Sequence, residues 1–227
     1  HETGANATVT VLESPKGARY LRVNGKTDAS ETGDLGTQLL VGFLPRMLHS
    51  GNPKTVLTVG LGSGMTLGAL ASDPGIERID SVEIEPAVVR AAKHFARSNH
   101  NALADPRMRM ILADARQVLA ARGPKYDIIT SEPSNPWIAG IANLFTREAF
   151  LSAKERLADD GVYCQWIQGY FMRPSDMRMI LRTFSEVFPH TMLFSNGTPD
   201  YFIMGSLKPW EISYASVGKR LTEAPEL

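Results

Sequence analysis

The chain has 227 residues, 43 % hydrophobic and 21 % charged, which suits one sizeable globular core with at most a small appendage. Lys+Arg and Asp+Glu both number 24, so the net charge is zero, the basic excess of a nucleic-acid binder is missing, and no nucleic-acid partner is expected. The single cysteine, Cys164, excludes an internal disulfide and every cysteine-rich metal pattern, and no apolar run reaches the roughly 18 residues of a membrane span.

Residues 1–31 read as β. ATVTVLE alternates, SPKG supplies a turn, and ARYLRVNG alternates again, so a small hairpin-rich region over residues 1–33 is expected. From Asp34 the pattern changes. Leu35, Leu39, Leu40, Phe43, Leu44 and Leu48 fall at helical spacing and predict an amphipathic helix over 34–48, which HSGNPK ends. From Thr55 strands and helices alternate. TVLTVG precedes a helix in GSGMTLGALAS, and RIDSVEI precedes PAVVRAAKHFARS with Pro86 in its first turn. MRMILAD precedes a helix near 115–122, KYDIITS precedes TREAFLSAKERLA with Thr146 as N-cap, and GVYCQWI precedes SDMRMILRTFSEVF. HTMLFS and DYFIMGS look like a closing pair of strands, and KPWEISYASVGKRLTEAPEL like a helix and tail. The alternation predicts an α/β domain over 34–227. Its sheet is doubly wound and mostly parallel, with ligand bound outside the carboxyl ends of the strands.

Three features fall at those ends. VGLGSGM places Gly60, Gly62 and Gly64 between the first core strand and its helix, where glycines let the backbone turn sharply and approach a ligand. Glu83 ends the next strand, where an acid can accept both hydroxyls of a ribose. Asp114, followed by Ala115, ends the third; an acid there can accept from an adenine amino group, and it equally suits a helix N-cap. Together they describe a site for an adenosyl group. The loop lacks full G-x-G-x-x-G spacing, and the order of motifs resembles class I methyltransferase-like (Rossmann-like) folds, which favours an S-adenosylmethionine-type ligand over a dinucleotide.

TQLLVGFLP, VGLGSG, VEIEP, DPRMRMILADAR, KYDIITSEPSNP, NLFTREAF and GVYCQW together carry a more specific likeness. From about residue 7 to 206 the chain resembles the spermidine/spermine synthases, polyamine aminopropyltransferases on that fold. It looks most like the branch often fused to membrane-spanning segments. The resemblance implies transfer of an aminopropyl group from decarboxylated S-adenosylmethionine, a co-substrate, to an amine, releasing methylthioadenosine; no tightly bound cofactor and no metal are expected. It implies a nucleoside site of Gly60, Gly62, Gly64, Glu83, Asp114 and Gln38, with Glu132 at the position of the family's catalytic aspartate. It also allows a homodimer through the N-terminal strands. The chain starts at His1 and reads as a piece of a longer protein, cytoplasmic or the cytoplasmic part of a membrane protein.

The acceptor half departs from the family. Ser63 stands where the glycine loop carries an acid for the aminopropyl ammonium, Asn135 replaces a second acid, and Thr37 and Leu39 replace a tyrosine and an acid flanking Gln38. Losing one such charge-assisted hydrogen bond costs roughly 1.5–3 kcal/mol. These positions keep open two alternatives, a methyltransferase using intact S-adenosylmethionine and a non-catalytic nucleoside-binding domain. Trp137 and Trp166 flank the expected cleft, and Gln165 and Gln168 end the fifth strand beside it, with Tyr170 in the next loop. His49, His94, His100 and His190 show no ligand spacing and read as solvated or capping residues.

Overall fold

A computed structural model describes residues 1–134, 136 and 140–223. The first strands are β1 (Glu2–Thr3), β2 (Thr8–Glu13), β3 (Arg19–Val23) and β4 (Lys26–Ser30), which form a four-stranded antiparallel sheet in that order. Asn24 and Gly25 make the two-residue β3–β4 turn with φ of 51° and 83°, the left-handed pair that an Asn-Gly hairpin needs. Helix α1 (Leu35–Leu48) then leads into the main sheet.

That sheet is built from β5 (Thr55–Val59), β6 (Arg78–Glu83), β7 (Met108–Leu112), β8 (Tyr126–Ser131), β9 (Leu157–Gln168), β10 (His190–Ser195) and β11 (Asp200–Ser206). The order is β10-β11-β9-β8-β5-β6-β7. β7, β6, β5, β8 and β9 run parallel, whereas β11 is antiparallel to β9 and to β10. The connecting helices are α2 (Met65–Ala71), α3 (Pro86–Ala92), α4 (Ala115–Ala120), α5 (Arg147–Arg156) and α6 (Pro174–Val187), with α7 (Tyr214–Glu223) after the last strand. No helix among the described residues is long and apolar enough to cross a membrane.

Both faces of the parallel strands are covered, so their side chains divide by the two-residue period. Val56, Ile79 and Ile128 join a core with α2, α3 and the inward residues Val9, Leu21 and Ala29 of the hairpin sheet. Leu57, Val59 and Ile129 face the opposite core, with Phe150, Tyr163, Phe184 and Phe188. Val41 and Leu48 of α1 pack on Trp166, Phe202 and Met204 of β9 and β11. Each fully buried aliphatic or aromatic side chain contributes about 1.5–3 kcal/mol.

The elements follow the sequence pattern closely, with two shifts. The helix in PAVVRAAKHFARS ends at Ala92 and tightens into a 3-10 turn at Lys93–Phe95. The helix in TREAFLSAKERLA stops at Arg156, and β9 starts at once with Leu157 opposite Tyr126. Thr146 caps the start of α5, accepting from the Ala149 N–H at 3.3 Å. Its end is fixed by the Arg156 guanidinium, which donates to the carbonyls of Val118, Ala121 and Pro124 at 2.7–2.9 Å.

Candidate active site

A cavity of about 910 Å³ opens at the carboxyl edge of β5, β6, β7, β8 and β9. The β3–β4 hairpin roofs it through Leu21, Val23 and Lys26. Its floor begins with the loop after β5. Gly60 has φ +87°, and a Cβ there would stand 2.6 Å from the Glu132 carbonyl oxygen, so only glycine lets the two chain ends approach. Gly62 and Gly64 also take positive φ, 54° and 82°.

The end of β6 presents Glu83, 9 % exposed. One carboxylate oxygen accepts from the N–H groups of Ile84 (2.8 Å) and Glu85 (2.9 Å), the other from the Leu61 N–H (3.1 Å). Burial raises its pKa against the pull of these bonds. The acid is thereby oriented by the glycine loop itself, with about one of its four lone-pair sites left for a ligand hydroxyl. Two residues on, Glu85 caps α3 at the Ala87 N–H (3.0 Å) and accepts from Asn6 N–H (2.7 Å) and Ala7 N–H (3.2 Å), which ties the hairpin sheet to this edge. Asp114 caps α4 at the Arg116 N–H (2.9 Å) and pairs with the Arg116 guanidinium at 2.6 Å, which holds its pKa down. Ala115 lines the wall beside it.

Glu132 follows β8 directly, its N–H bonded to the Val59 carbonyl at 2.8 Å. The residue is half-buried and lines the cavity. Burial pushes its pKa up to about 8; a hydrogen bond with Thr66 opposes this and the charge of Asp34 adds to it. Asp34, ahead of α1, is raised by burial and further by Asp200.

The structure brings together Gly60, Gly62, Glu83, Asp114, Ala115, Glu132 and Trp166 on the cavity wall. Four other candidates lie beneath it. Gln38 is 1 % exposed, donates to the Ser30 carbonyl at 3.1 Å and accepts the Ser63 hydroxyl at 2.5 Å. Ser63 is fully buried by that same pairing, and Gly64 packs on Asn99. Gln165 is also fully buried, accepting from Tyr163 Oη at 2.7 Å and donating to the Trp166 carbonyl at 3.0 Å. Asn135 and Trp137 lie outside the described residues.

Asp28, Asp34 and Asp200 also reach the wall, as do Ser134, Gln168 and Tyr170. Seven carboxyl residues and two basic ones line the cavity among the described residues. Both bases are already paired, Lys26 with Asp28 at 2.7 Å and Arg116 with Asp114. Glu132, Asp34 and Asp200 have no cationic partner among the described residues. Such a pocket attracts cations.

His49 is the capping kind rather than the solvated kind: it is the C-cap of α1, its N–H bonded to the Pro45 carbonyl, and it is 2 % exposed. It stands with Asp127 and Asp160 at the opposite edge of the sheet, their ligand-type atoms within 4.8 Å of one another. Gly51 N–H donates to its Nδ1 at 3.0 Å, so that lone pair is occupied. Asp127 Oδ2 accepts from Lys54 N–H and from Thr55 N–H and Oγ1 at 2.8–2.9 Å, a staple across strand starts. His94 and His100 are exposed.

The strand order and the edge at which the cavity opens define a class I methyltransferase-like, Rossmann-like fold. Within that class the chain belongs to the spermine/spermidine synthase family, whose domain profile matches residues 36–209. It is 26 % identical over 217 residues to the polyamine aminopropyltransferase of Thermoanaerobacter sp. (strain X514), covering 92 % of this chain and 78 % of the relative. The Bacillus subtilis (strain 168) polyamine aminopropyltransferase is 26 % identical over 204 residues, 87 % of this chain and 73 % of the relative. A crystal structure of spermidine synthase from Thermotoga maritima superposes with a TM-score of 0.80 at 21 % identity, covering 97 % of this chain and 75 % of that one. Human methyltransferase-like protein 13, in complex with SAH, shares the fold at a TM-score of 0.62 and 21 % identity, over 85 % of this chain and 88 % of that one.

Proposed function

We propose that the chain transfers an aminopropyl group from decarboxylated S-adenosylmethionine to an amine. Glu83 accepts a ribose hydroxyl, Asp114 the adenine amino group, and the Gly60–Gly62 turn lets the backbone approach the nucleoside. The attacking amine sits at Glu132. A protonated amine has no lone pair, so the proton passes to the Glu132 carboxylate as the nitrogen attacks the carbon next to the sulfonium. The C–N bond forms, the C–S bond breaks, and its electron pair leaves with neutral methylthioadenosine. The remaining contribution is alignment.

One observation carries this reading: Glu132 is held at the ligand edge by the β8–β5 junction with its pKa raised to about 8, so it exchanges a proton near neutrality. A cavity wall rich in unpaired acids supports a cationic acceptor. Ser63 is buried against Gln38 and offers the aminopropyl arm no charge, which keeps intact S-adenosylmethionine as the second reading. The reading puts the reaction in the cytoplasm, in keeping with a lone buried thiol and no disulfide. It also leaves room for a homodimer and for fusion to a membrane-spanning part.

The test is mass spectrometry of methylthioadenosine released from decarboxylated S-adenosylmethionine with a panel of amines, beside calorimetry of the intact and decarboxylated forms. Release that needs both amine and Glu132 supports the proposal. Binding of the intact form alone, with methyl transfer to the amine, replaces it with the second reading.

A further inference from the structure

We propose that the Arg116 guanidinium is a built-in competitor for the nucleoside base. It occupies the acceptor sites of Asp114 that the adenine amino group needs, so Arg116 sets how tightly this chain holds an adenosyl ligand. This rests on the nucleoside reading of the cavity.

Asp114 and Arg116 both line the cavity, the acid just ahead of α4 and the arginine in its first turn. Asp114 Oδ1 accepts from the Arg116 N–H at 2.9 Å and from Arg116 Nε at 3.2 Å. Oδ2 accepts from Nε at 3.2 Å and from Nη2 at 2.6 Å. A carboxylate has about four lone-pair sites, so these contacts leave none for a ligand. All but the backbone bond come from the guanidinium. The backbone bond is the cap of α4 and survives the departure of the side chain. Oδ2 is then open to a new donor.

Only Asp114 holds the guanidinium. Among the described residues the Arg116 side chain bonds to nothing else, and it is 47 % exposed against 21 % for the acid. An ion pair this exposed is weak and is screened by salt. It is strong enough to lower affinity and weak enough to be displaced. Glu83, at the other end of the nucleoside wall, differs. Its carboxylate is held by the backbone N–H groups of Leu61, Ile84 and Glu85, which cannot swing away. Asp114 is filled by a side chain that can.

Binding therefore exchanges one partner for another. The adenine amino group donates an N–H to Asp114, and the guanidinium moves out to water. The new bond is offset by the lost ion pair. Removing the guanidinium, or screening the pair with salt, removes that offset. A base without the amino group never displaces the arginine and gains nothing from its loss.

The experiment is calorimetry of wild type and Arg116→Ala at low and high NaCl. The ligands are methylthioadenosine and the same nucleoside lacking the purine amino group. At low salt Arg116→Ala should bind methylthioadenosine about three- to five-fold more tightly than wild type. The amino-free nucleoside should bind both proteins equally. At high salt the difference between the proteins should shrink toward none. The salt arm needs no variant: in wild type the preference for methylthioadenosine over the amino-free nucleoside should rise with salt. That arm carries the test if Arg116→Ala does not fold. Weaker methylthioadenosine binding by Arg116→Ala overturns the proposal, because it makes Arg116 a contact of the ligand. Equal gains for both nucleosides overturn it as well, because the amino group then has no part. Methylthioadenosine binding that neither the substitution nor salt changes overturns the competitor and leaves the nucleoside reading standing. If neither protein binds methylthioadenosine, the nucleoside reading falls and the competitor falls with it.

Discussion

Glu132→Gln should make the protein more stable at neutral pH and change the way its stability depends on pH. The wild-type carboxyl is raised from 4.5 to about 8 by burial at the β8–β5 junction. Between those values it is protonated in the folded chain and ionised in the unfolded chain. The folded state binds the extra proton, so stability falls as pH rises through this window. A shift of about 3.5 units corresponds to at most about 5 kcal/mol at 1.36 kcal/mol per unit. Glutamine keeps the shape of the protonated acid and does not titrate. Urea unfolding of both proteins from pH 4.5 to pH 8.5 isolates this one group, because the other titrating groups are common to both. The two should be close in stability at pH 4.5. Wild type should then lose about 3–5 kcal/mol relative to the variant by pH 8. A stability difference that stays flat across the range refutes the claim that the folded protein holds this carboxyl neutral.

The same group sets the rate profile: kcat/KM for the amine should rise with pH, pass half its maximum near 8 and level off above it, as read by methylthioadenosine release. Glu83→Gln should weaken methylthioadenosine binding by roughly ten- to a hundred-fold in calorimetry, the loss of a charge-assisted bond to the ribose. Gly60→Ala should cost about 2–4 kcal/mol in urea unfolding, because its Cβ meets the Glu132 carbonyl in a left-handed backbone conformation. An unchanged unfolding midpoint would mean that the β5 loop and the β8 end are not in contact.

The strands, helices and β-hairpin could be read from the chain because their signals are local: a two-residue period, a 3.6-residue period, and Asn24-Gly25 between alternating runs. The start of β9 could not. LADD looks like a helix end and a turn, and only pairing of Leu157 with Tyr126 makes it strand. Buried Asp80 was equally hidden inside the apolar run RIDSVEI, since beyond Arg78 on its own strand its partners Arg109 and Tyr126 Oη (2.6 Å) arrive from β7 and β8. In the site, Gly60, Glu83, Asp114 and Glu132 stand out because they sit at fixed offsets after parallel strands. Gln38 and Ser63 show the limit of that reasoning, for sequence places them near the edge but cannot say that they satisfy each other below its surface. Asp200 escapes it for a different reason. β11 runs against the others, so its beginning, not its end, reaches the ligand edge.

That edge draws on separate stretches of chain for its two halves. The side proposed for the nucleoside is built by residues 60–62, 83–85 and 114–116, all before β8. The acid-rich side comes mainly from Asp34, Glu132, Gln168 and Asp200, with no shared side chain between the halves. The charge of that side is therefore set by residues far apart in the chain, one ahead of α1 and the others after β8.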